Sequence, residues 1–197
     1  KNIEDDTTLG DVPVILLVED SRRFYSLYLP LLYQELMEQT NSLAGEGLSL
    51  HHRVLRRRAR AKILLAKDME EAQNFYKRYS KHIIGLITDA AYPWKGKHTS
   101  KAGAELIKIV QKDDYDIPII MQSSLPENRK IAEKLNTEFL DKSDSGLLKG
   151  IRAFMREKMS FGDFVFRDSE GNEIGRAKDI EEMIDVLPYV DSESLRY

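Results

Sequence analysis

The sequence predicts an α/β fold, a doubly wound five-stranded parallel sheet with helices on both faces. Five short, continuously apolar runs are typical of strands buried on both faces of such a sheet; they span residues 12–18, 61–66, 83–88, 117–122 and 137–141. Helical periodicity lies between them, at residues 68–79, 100–111, 127–135 and 145–158. Because strand and helix alternate and crossovers are right-handed, we expect the flavodoxin-like strand order 2-1-3-4-5.

The connection between the first two strands is unusually long. Residues 21–60 form a helical insertion in this prediction, about twice the length of a common βα connection. An apolar stripe runs through it at near-helical spacing and consists of Phe24, Tyr28, Leu32, Leu36, Leu43, Leu50 and Val54. Pro30 predicts a kink or a helix start, and Gly45 and Gly47 weaken the middle. We expect one long kinked helix or two helices that project from the sheet and need a partner for the stripe, for example a homodimer through 21–60.

The chain divides into three parts in this interpretation. Residues 1–11 are a polar lead-in, residues 12–158 are the α/β domain, and residues 159–197 are an appendage. The appendage predicts a β-hairpin around the tight turn SEGN and then a helix over residues 178–187. We expect it to lead to a following domain, so that the chain is a fragment of a longer cytoplasmic protein.

Composition excludes several classes of function. The 197 residues include no cysteine, which excludes disulfides, thiolate zinc sites and cysteine nucleophiles. No apolar run approaches the roughly 20 residues that span a bilayer, so no membrane partner is expected. The net charge of −3 argues against nucleic-acid binding.

A basic cluster of five arginines and a lysine lies within residues 51–62. It predicts a solvated helix end or a contact with an acidic partner or nucleic acid. The four histidines have no metal-like spacing and are expected at the surface: His51, His52, His82 and His98.

Chemically useful side chains follow the apolar strands. Glu19 and Asp20 follow the first strand, Asp89 the third, Ser123 the fourth and Lys142 the fifth. Because the carboxyl ends of parallel strands share one edge of a sheet, these side chains are expected to meet there. Each carboxylate alone has a simpler explanation as a helix cap or turn residue. Together they predict a site for Mg²⁺ and a phosphoryl group.

The order of these residues resembles the receiver domain of bacterial response regulators. The resemblance spans about residues 12–158 apart from the insertion, and rests on the strand ends VILLVED, IIGLITD, IPIIMQS and FLDK. It implies that Asp20 and Asp89 are direct Mg²⁺ ligands, that Glu19 binds directly or through water, and that the carbonyl of Ala91 adds another oxygen.

The same resemblance implies a phosphorylation switch. Asp89 would be the nucleophile that forms an aspartyl phosphate, with a histidine kinase or a small molecule as phosphodonor. Lys142 and the cation would neutralise the phosphoryl oxygens. Ser123 would hydrogen-bond the attached group, and Phe139, three residues before the lysine, would move to a buried rotamer.

Two features depart from the receiver pattern. Ser143 stands where a proline usually follows the lysine, so the loop there is expected to differ. The loop after Asp89, AAYPWKGKHTSKAG, is longer than usual and carries Trp94. We expect this loop to restrict access to the site or to anchor on the domain through its tryptophan.

A second resemblance concerns the insertion and the tail. The segments SRRFYSLYLPLLYQELMEQT and FGDFVFRD…NEIGRAKDI are similar to the amino-terminal region of bacterial proteins with a phosphoenolpyruvate-synthase or pyruvate phosphate dikinase-like module. It implies that this regulatory fragment acts on a fused C-terminal phosphotransfer enzyme.

Two alternative functions stay open. One is a pseudo-receiver that serves as a dimerisation or interdomain module without phosphorylation, and the other is a Mg²⁺-dependent hydrolase.

Overall fold

The computed structural model describes residues 2–42, 60–114, 116–159, 164–167 and 173–177. The predicted parallel sheet is present. Its strands are β1 (Val14–Val18), β2 (Lys62–Ala66), β3 (Ile83–Asp89), β6 (Ile119–Ser123) and β7 (Glu138–Asp141). They lie in the order β2-β1-β3-β6-β7, with every neighbouring pair parallel, which confirms the predicted order 2-1-3-4-5.

Helices cover both faces of this sheet. They are α2 (Arg22–Ser42), α3 (Met69–Tyr79), α4 (Ala102–Asp113), α5 (Asn128–Lys134) and α6 (Leu147–Lys158). Helix α3 begins at its N-cap Asp68, whose Oδ1 accepts the Glu71 N–H at 2.7 Å. One apolar core lies between the sheet and α3, α4 and α5, and the second lies between the sheet, α2 and α6. The doubly wound architecture follows from strands that are apolar on both faces.

The first part of the insertion belongs to the domain core. Helix α2 buries Tyr28, Leu32 and Leu36 against the sheet and α6. The expectation that the whole apolar stripe needs a partner is therefore wrong for this part, because the chain's own α6 covers it. Leu43, Leu50 and Val54 lie outside the described residues, as does most of the arginine-rich segment.

A buried carboxylate fixes α2 to α6. Glu35 is almost fully buried, and its two oxygens lie 2.6 Å from Arg152 Nε and 2.6 Å from Arg156 Nε. The Arg156 guanidinium also reaches exposed Glu38, at 2.8 Å. The two arginines are half-exposed, so solvent screens these ion pairs in part.

The polar lead-in contains a helix that the sequence analysis did not predict. Helix α1 (Asn2–Gly10) is joined to the domain by ion pairs from Arg78 to Glu4 and from Lys62 to Asp6, the latter at 3.0 Å. Ile3 packs against the core on the α3 side.

The predicted C-terminal hairpin is also present. Its strands β8 (Phe164–Arg167) and β9 (Glu173–Ala177) pair antiparallel. The turn between them and the predicted helix at 178–187 lie outside the described residues. Within the described part of the chain, no helix has the length and apolarity that crossing a membrane requires.

Candidate phosphoacceptor and metal site

Three carboxylates meet at the carboxyl edge of the sheet. Glu19 and Asp20 follow β1, and Asp89 is the last residue of the neighbouring strand β3. One oxygen from each lies within 4.8 Å of the others. Glu19 is fully buried, Asp89 is nearly so, and Asp20 is partly exposed. The predicted cluster therefore forms, with Asp20 on its solvent side.

Lys142 closes the buried side of the cluster. It directly follows β7, and its Nζ lies 2.6 Å from Glu19 Oε2 and also contacts Asp89 Oδ2. Its side chain is only 4 % exposed, and the ammonium lies 4.4 Å from the centroid of the Phe24 ring. A buried cation between two carboxylates offsets their mutual repulsion, and the aromatic face adds a favourable contact.

Burial dominates the electrostatics of Glu19. It raises the pKa of this carboxyl to about 7, against the opposing attraction of Lys142 and with a further increase from nearby Asp89. The pKa of the buried Tyr28 hydroxyl is also raised, first by burial and then by the charges of Glu19 and Asp89. Within the described structure this hydroxyl has no hydrogen-bond partner. Helix α2 thus brings the unpaired Tyr28 hydroxyl close to the acidic cluster. The sequence placed Tyr28 only in an apolar stripe and did not indicate this proximity.

The backbone after β3 orients Asp89. Its Oδ1 accepts the N–H of Ala90 at 2.6 Å and lies 3.4 Å from the N–H of Ala91, while Oδ2 contacts Lys142. Gly103 at the start of α4 packs directly on this backbone, and its N–H donates to the Ala90 carbonyl at 3.1 Å. The carboxylate is therefore held on both oxygens before any ligand binds.

Ser123 lies at the end of β6, next to β3 and β7 in the sheet. Its Oγ accepts the N–H of Leu125 at 3.1 Å and the amide of Asn128 at 2.8 Å. Its carbonyl accepts the N–H of Lys142 at 3.0 Å. The Ser123 hydroxyl proton stays available for donation, because Oγ acts as the acceptor in its contacts with Leu125 and Asn128.

Phe139 lies on β7, half-buried, with its ring against the core on the α3 side. The Arg129 guanidinium covers the ring at 4.8 Å from its centroid. The ring therefore has both a core side and a partly open side, and its role as a switch stays a prediction.

The long loop after Asp89 is folded as a small hairpin. Strands β4 (Tyr92–Trp94) and β5 (Lys97–Thr99) pair antiparallel. His98 on β5 reaches the acidic cluster, with Nε2 3.3 Å from Asp20 Oδ2. His98 is exposed at the surface, as expected, but the structure also places its ring beside the acidic cluster, which the sequence analysis did not predict. Its position depends on the strand pairing, which the spacing of the histidines cannot reveal.

The donor set fits Mg²⁺. This ion takes oxygen ligands at about 2.1 Å in octahedral geometry and keeps several waters. The cluster offers three carboxylate oxygens within 4.8 Å of one another, which are ligands of the type that Mg²⁺ takes. Asp20 is the most accessible of the three, and water can complete the coordination on its side.

Comparison with solved structures returns response regulator receiver domains. A receiver domain protein from Clostridium thermocellum is 16 % identical, with a TM-score of 0.52 over 76 % of this chain and 95 % of that one. The non-phosphorylated HemR receiver domain from Leptospira biflexa is 20 % identical, with a TM-score of 0.51 over 75 % of this chain and 94 % of that one. No family model matches the chain, and no curated protein sequence matches it. The chain therefore has the α/β fold of response regulator receiver domains.

Proposed function

We propose that the chain is a phosphoacceptor signal-transduction domain that receives a phosphoryl group on Asp89. The observation that carries this proposal is the ion-paired contact of Lys142 with both Glu19 and Asp89 beside an oxygen-rich cluster. Asp20, Asp89 and Glu19 would hold Mg²⁺, with the Ala91 carbonyl as a further ligand. When bound, the ion supplies positive charge to the phosphoryl oxygens.

The transfer itself requires little of the protein beyond positioning. An Asp89 carboxylate oxygen forms a bond to phosphorus, and the bond between phosphorus and the donor's leaving atom breaks, with the electron pair leaving on the donor. The ammonium of Lys142 offsets the repulsion between carboxylate and phosphoryl oxygens. Ser123 donates its hydroxyl proton in a hydrogen bond to the attached group, and Phe139 responds by changing its rotamer. The donor is a histidine kinase or a small acyl phosphate.

Phosphorylation is tested directly by mass spectrometry. Wild-type protein incubated with acetyl phosphate and Mg²⁺ gains the mass of one phosphoryl group, and the acyl phosphate is lost in hydroxylamine. Asp89→Asn gains nothing. The matched control Asp114→Asn, which removes an exposed aspartate outside the site, behaves as wild type. Equal labelling of wild type and Asp89→Asn would overturn the proposal.

The output is proposed to be a fused enzyme. The likeness of the insertion and tail to the amino-terminal region of proteins with a phosphoenolpyruvate-synthase-like module supports a phosphotransferase regulated in cis. Its test is the activity of the full-length protein before and after phosphorylation of Asp89, compared with Asp89→Asn. Activity that is independent of the phosphorylation state contradicts regulation by this domain.

A pseudo-receiver is the second candidate, and exposed apolar side chains on α2 favour it. Leu27, Tyr33 and Met37 are 44 %, 47 % and 50 % exposed. Tyr33 and Met37 are four residues apart and therefore neighbours on the helix surface, and contiguous exposed apolar groups can mark an interaction surface. This candidate predicts concentration-dependent association through the insertion and no mass gain with acetyl phosphate. Light scattering separates the two: a monomer that is phosphorylated excludes the pseudo-receiver.

A further inference from the structure

The β4–β5 hairpin is anchored to the rest of the domain at its first residue and at its turn. Tyr92 at its start is fully buried in the core. Lys95 and Gly96 form its turn with positive φ values of 52° and 74°. The Lys95 N–H donates to Glu70 Oε1 at 2.8 Å, which ties the turn to the first turn of α3. The strand that carries His98 is therefore fixed relative to the sheet.

The two faces of β5 have different environments. Successive side chains of a strand point to opposite faces. Lys97 and Thr99 line a surface pocket together with Trp94 and Lys95. His98 lies between Lys97 and Thr99 in the chain and points to the other face, where its Nε2 lies 3.3 Å from Asp20 Oδ2.

The contact joins His98 to Asp20 only, whereas the group of ligand atoms within 4.8 Å of one another consists of Glu19, Asp20 and Asp89. To share an ion with all three carboxylates, the exposed His98 ring has to turn towards Glu19 and Asp89. Two atoms bound at about 2.1 Å each, at angles between octahedral and tetrahedral, are about 3.0–3.4 Å apart. Imidazole nitrogen suits first-row transition ions, whereas sites made only of oxygen suit Mg²⁺, Ca²⁺ and Mn²⁺.

We propose that His98 is an additional side-chain ligand of the ion bound at Asp20, so that the acidic cluster prefers a divalent transition ion to Mg²⁺. This inference rests on the proposed metal site and adds a nitrogen to it. The His98 side chain is 60 % exposed, so its ring adjusts on a fixed strand without disturbing the core. The hairpin thereby changes which cation the site selects.

Metal selectivity tests the inference. Dissociation constants for Co²⁺ and Mg²⁺ are measured by isothermal titration calorimetry on wild type and four variants. In His98→Ala the preference for Co²⁺ over Mg²⁺ falls about tenfold or more, while the Mg²⁺ affinity changes less than about threefold. Lys97→Ala, whose side chain points to the opposite face, keeps the wild-type preference. A preference that is unchanged in His98→Ala overturns the inference.

A conservative variant and a spectroscopic readout separate a ligand from a hydrogen-bond donor. His98→Gln keeps an N–H donor toward Asp20 but offers no imidazole nitrogen; if it retains the wild-type preference, His98 is not a ligand. Pulsed electron paramagnetic resonance of bound Mn²⁺ is expected to show imidazole nitrogen coupling in wild type and none in His98→Ala. Absence of the coupling in wild type also overturns the inference. If wild type and Asp20→Asn bind every ion equally weakly, the metal site of the proposed function itself fails.

Discussion

Gly103 gives a sharp prediction about how the site is held. A Cβ at this position would lie 2.2 Å from the Asp89 carbonyl oxygen and 2.9 Å from the Ala90 Cα. Both are backbone atoms, so no side-chain rotation relieves the contact. A separation of at least about 3.0 Å requires the backbone to move by about 0.8 Å, and this backbone positions the proposed phosphoacceptor.

The magnitude follows from two opposing contributions. Alanine in a helix is favoured over glycine by about 1 kcal/mol. Overpacking that moves the backbone costs about 1–3 kcal/mol, and more in rigid sites. We therefore expect Gly103→Ala to lower the free energy of unfolding by about 1–2 kcal/mol. A shift approaching 1 Å at the reacting group also predicts phosphorylation slower by about 10–100-fold.

Gly150 provides the matched control, since it too lies within a helix. A Cβ there meets Leu140 Cδ2 at 2.5 Å, which is the end of a flexible side chain. Gly150→Ala is expected to change stability by less than about 1 kcal/mol and to leave phosphorylation unaltered. Urea unfolding and the time course of acetyl phosphate labelling measure both effects. If Gly103→Ala is as stable and as rapidly labelled as Gly150→Ala, the reasoning from backbone contact is wrong.

Three further predictions concern charged side chains. Lys142→Met is expected to slow phosphorylation of Asp89 by about 10²–10³-fold without weakening Mg²⁺ binding, because it also removes a competing cation; labelling kinetics and calorimetry test the two parts separately. Glu35→Ala is expected to cost about 1–3 kcal/mol, reduced by solvent screening of its arginine partners, whereas Glu38→Ala costs less than about 1 kcal/mol; urea midpoints decide. The raised pKa of Glu19 predicts that the metal-free protein loses stability as pH rises from 4.5 to about 7, because the folded state keeps a proton that the unfolded state releases. Urea unfolding at several pH values should show this fall in the free energy of unfolding, and Glu19→Gln should remove it.

The sheet was predictable because its signals are local. The central strands β1, β3 and β6 are buried and mainly apolar, so their runs are easy to recognise, whereas the edge strands β2 and β7 are only partly buried and give a weaker signal. A residue directly after a parallel strand lies at the carboxyl edge of the sheet. The adjacency of Glu19 and Asp89 then follows from β1 and β3 being neighbours. Lys142 was found for the same reason, since it directly follows β7.

The remaining features depend on contacts between distant segments. The burial of Tyr28 and Glu35 requires α6, which lies over 100 residues later in the chain. The apolar stripe of α2 has the same pattern whether α6 or another molecule covers it. His98 reaches Asp20 only because β4 and β5 pair in one register, and a shift by one residue would turn it to the opposite face. Patterns of residue type carry no information on these choices.

The charges at the sheet edge favour the further cation that the proposed function requires. Three carboxylates face one ammonium, Lys142, which contacts Glu19 and Asp89 but is not paired with Asp20 in the structure. Burial, with a further increase from Asp89, raises the pKa of Glu19 to about 7 against the attraction of Lys142, so the metal-free cluster carries a proton on Glu19 below that pH. In the proposed function, a divalent ion would replace that proton and restore the charge of Glu19. The proposal therefore predicts that cation binding at Asp20 and phosphoryl transfer to Asp89 are coupled through the buried Glu19–Lys142 pair.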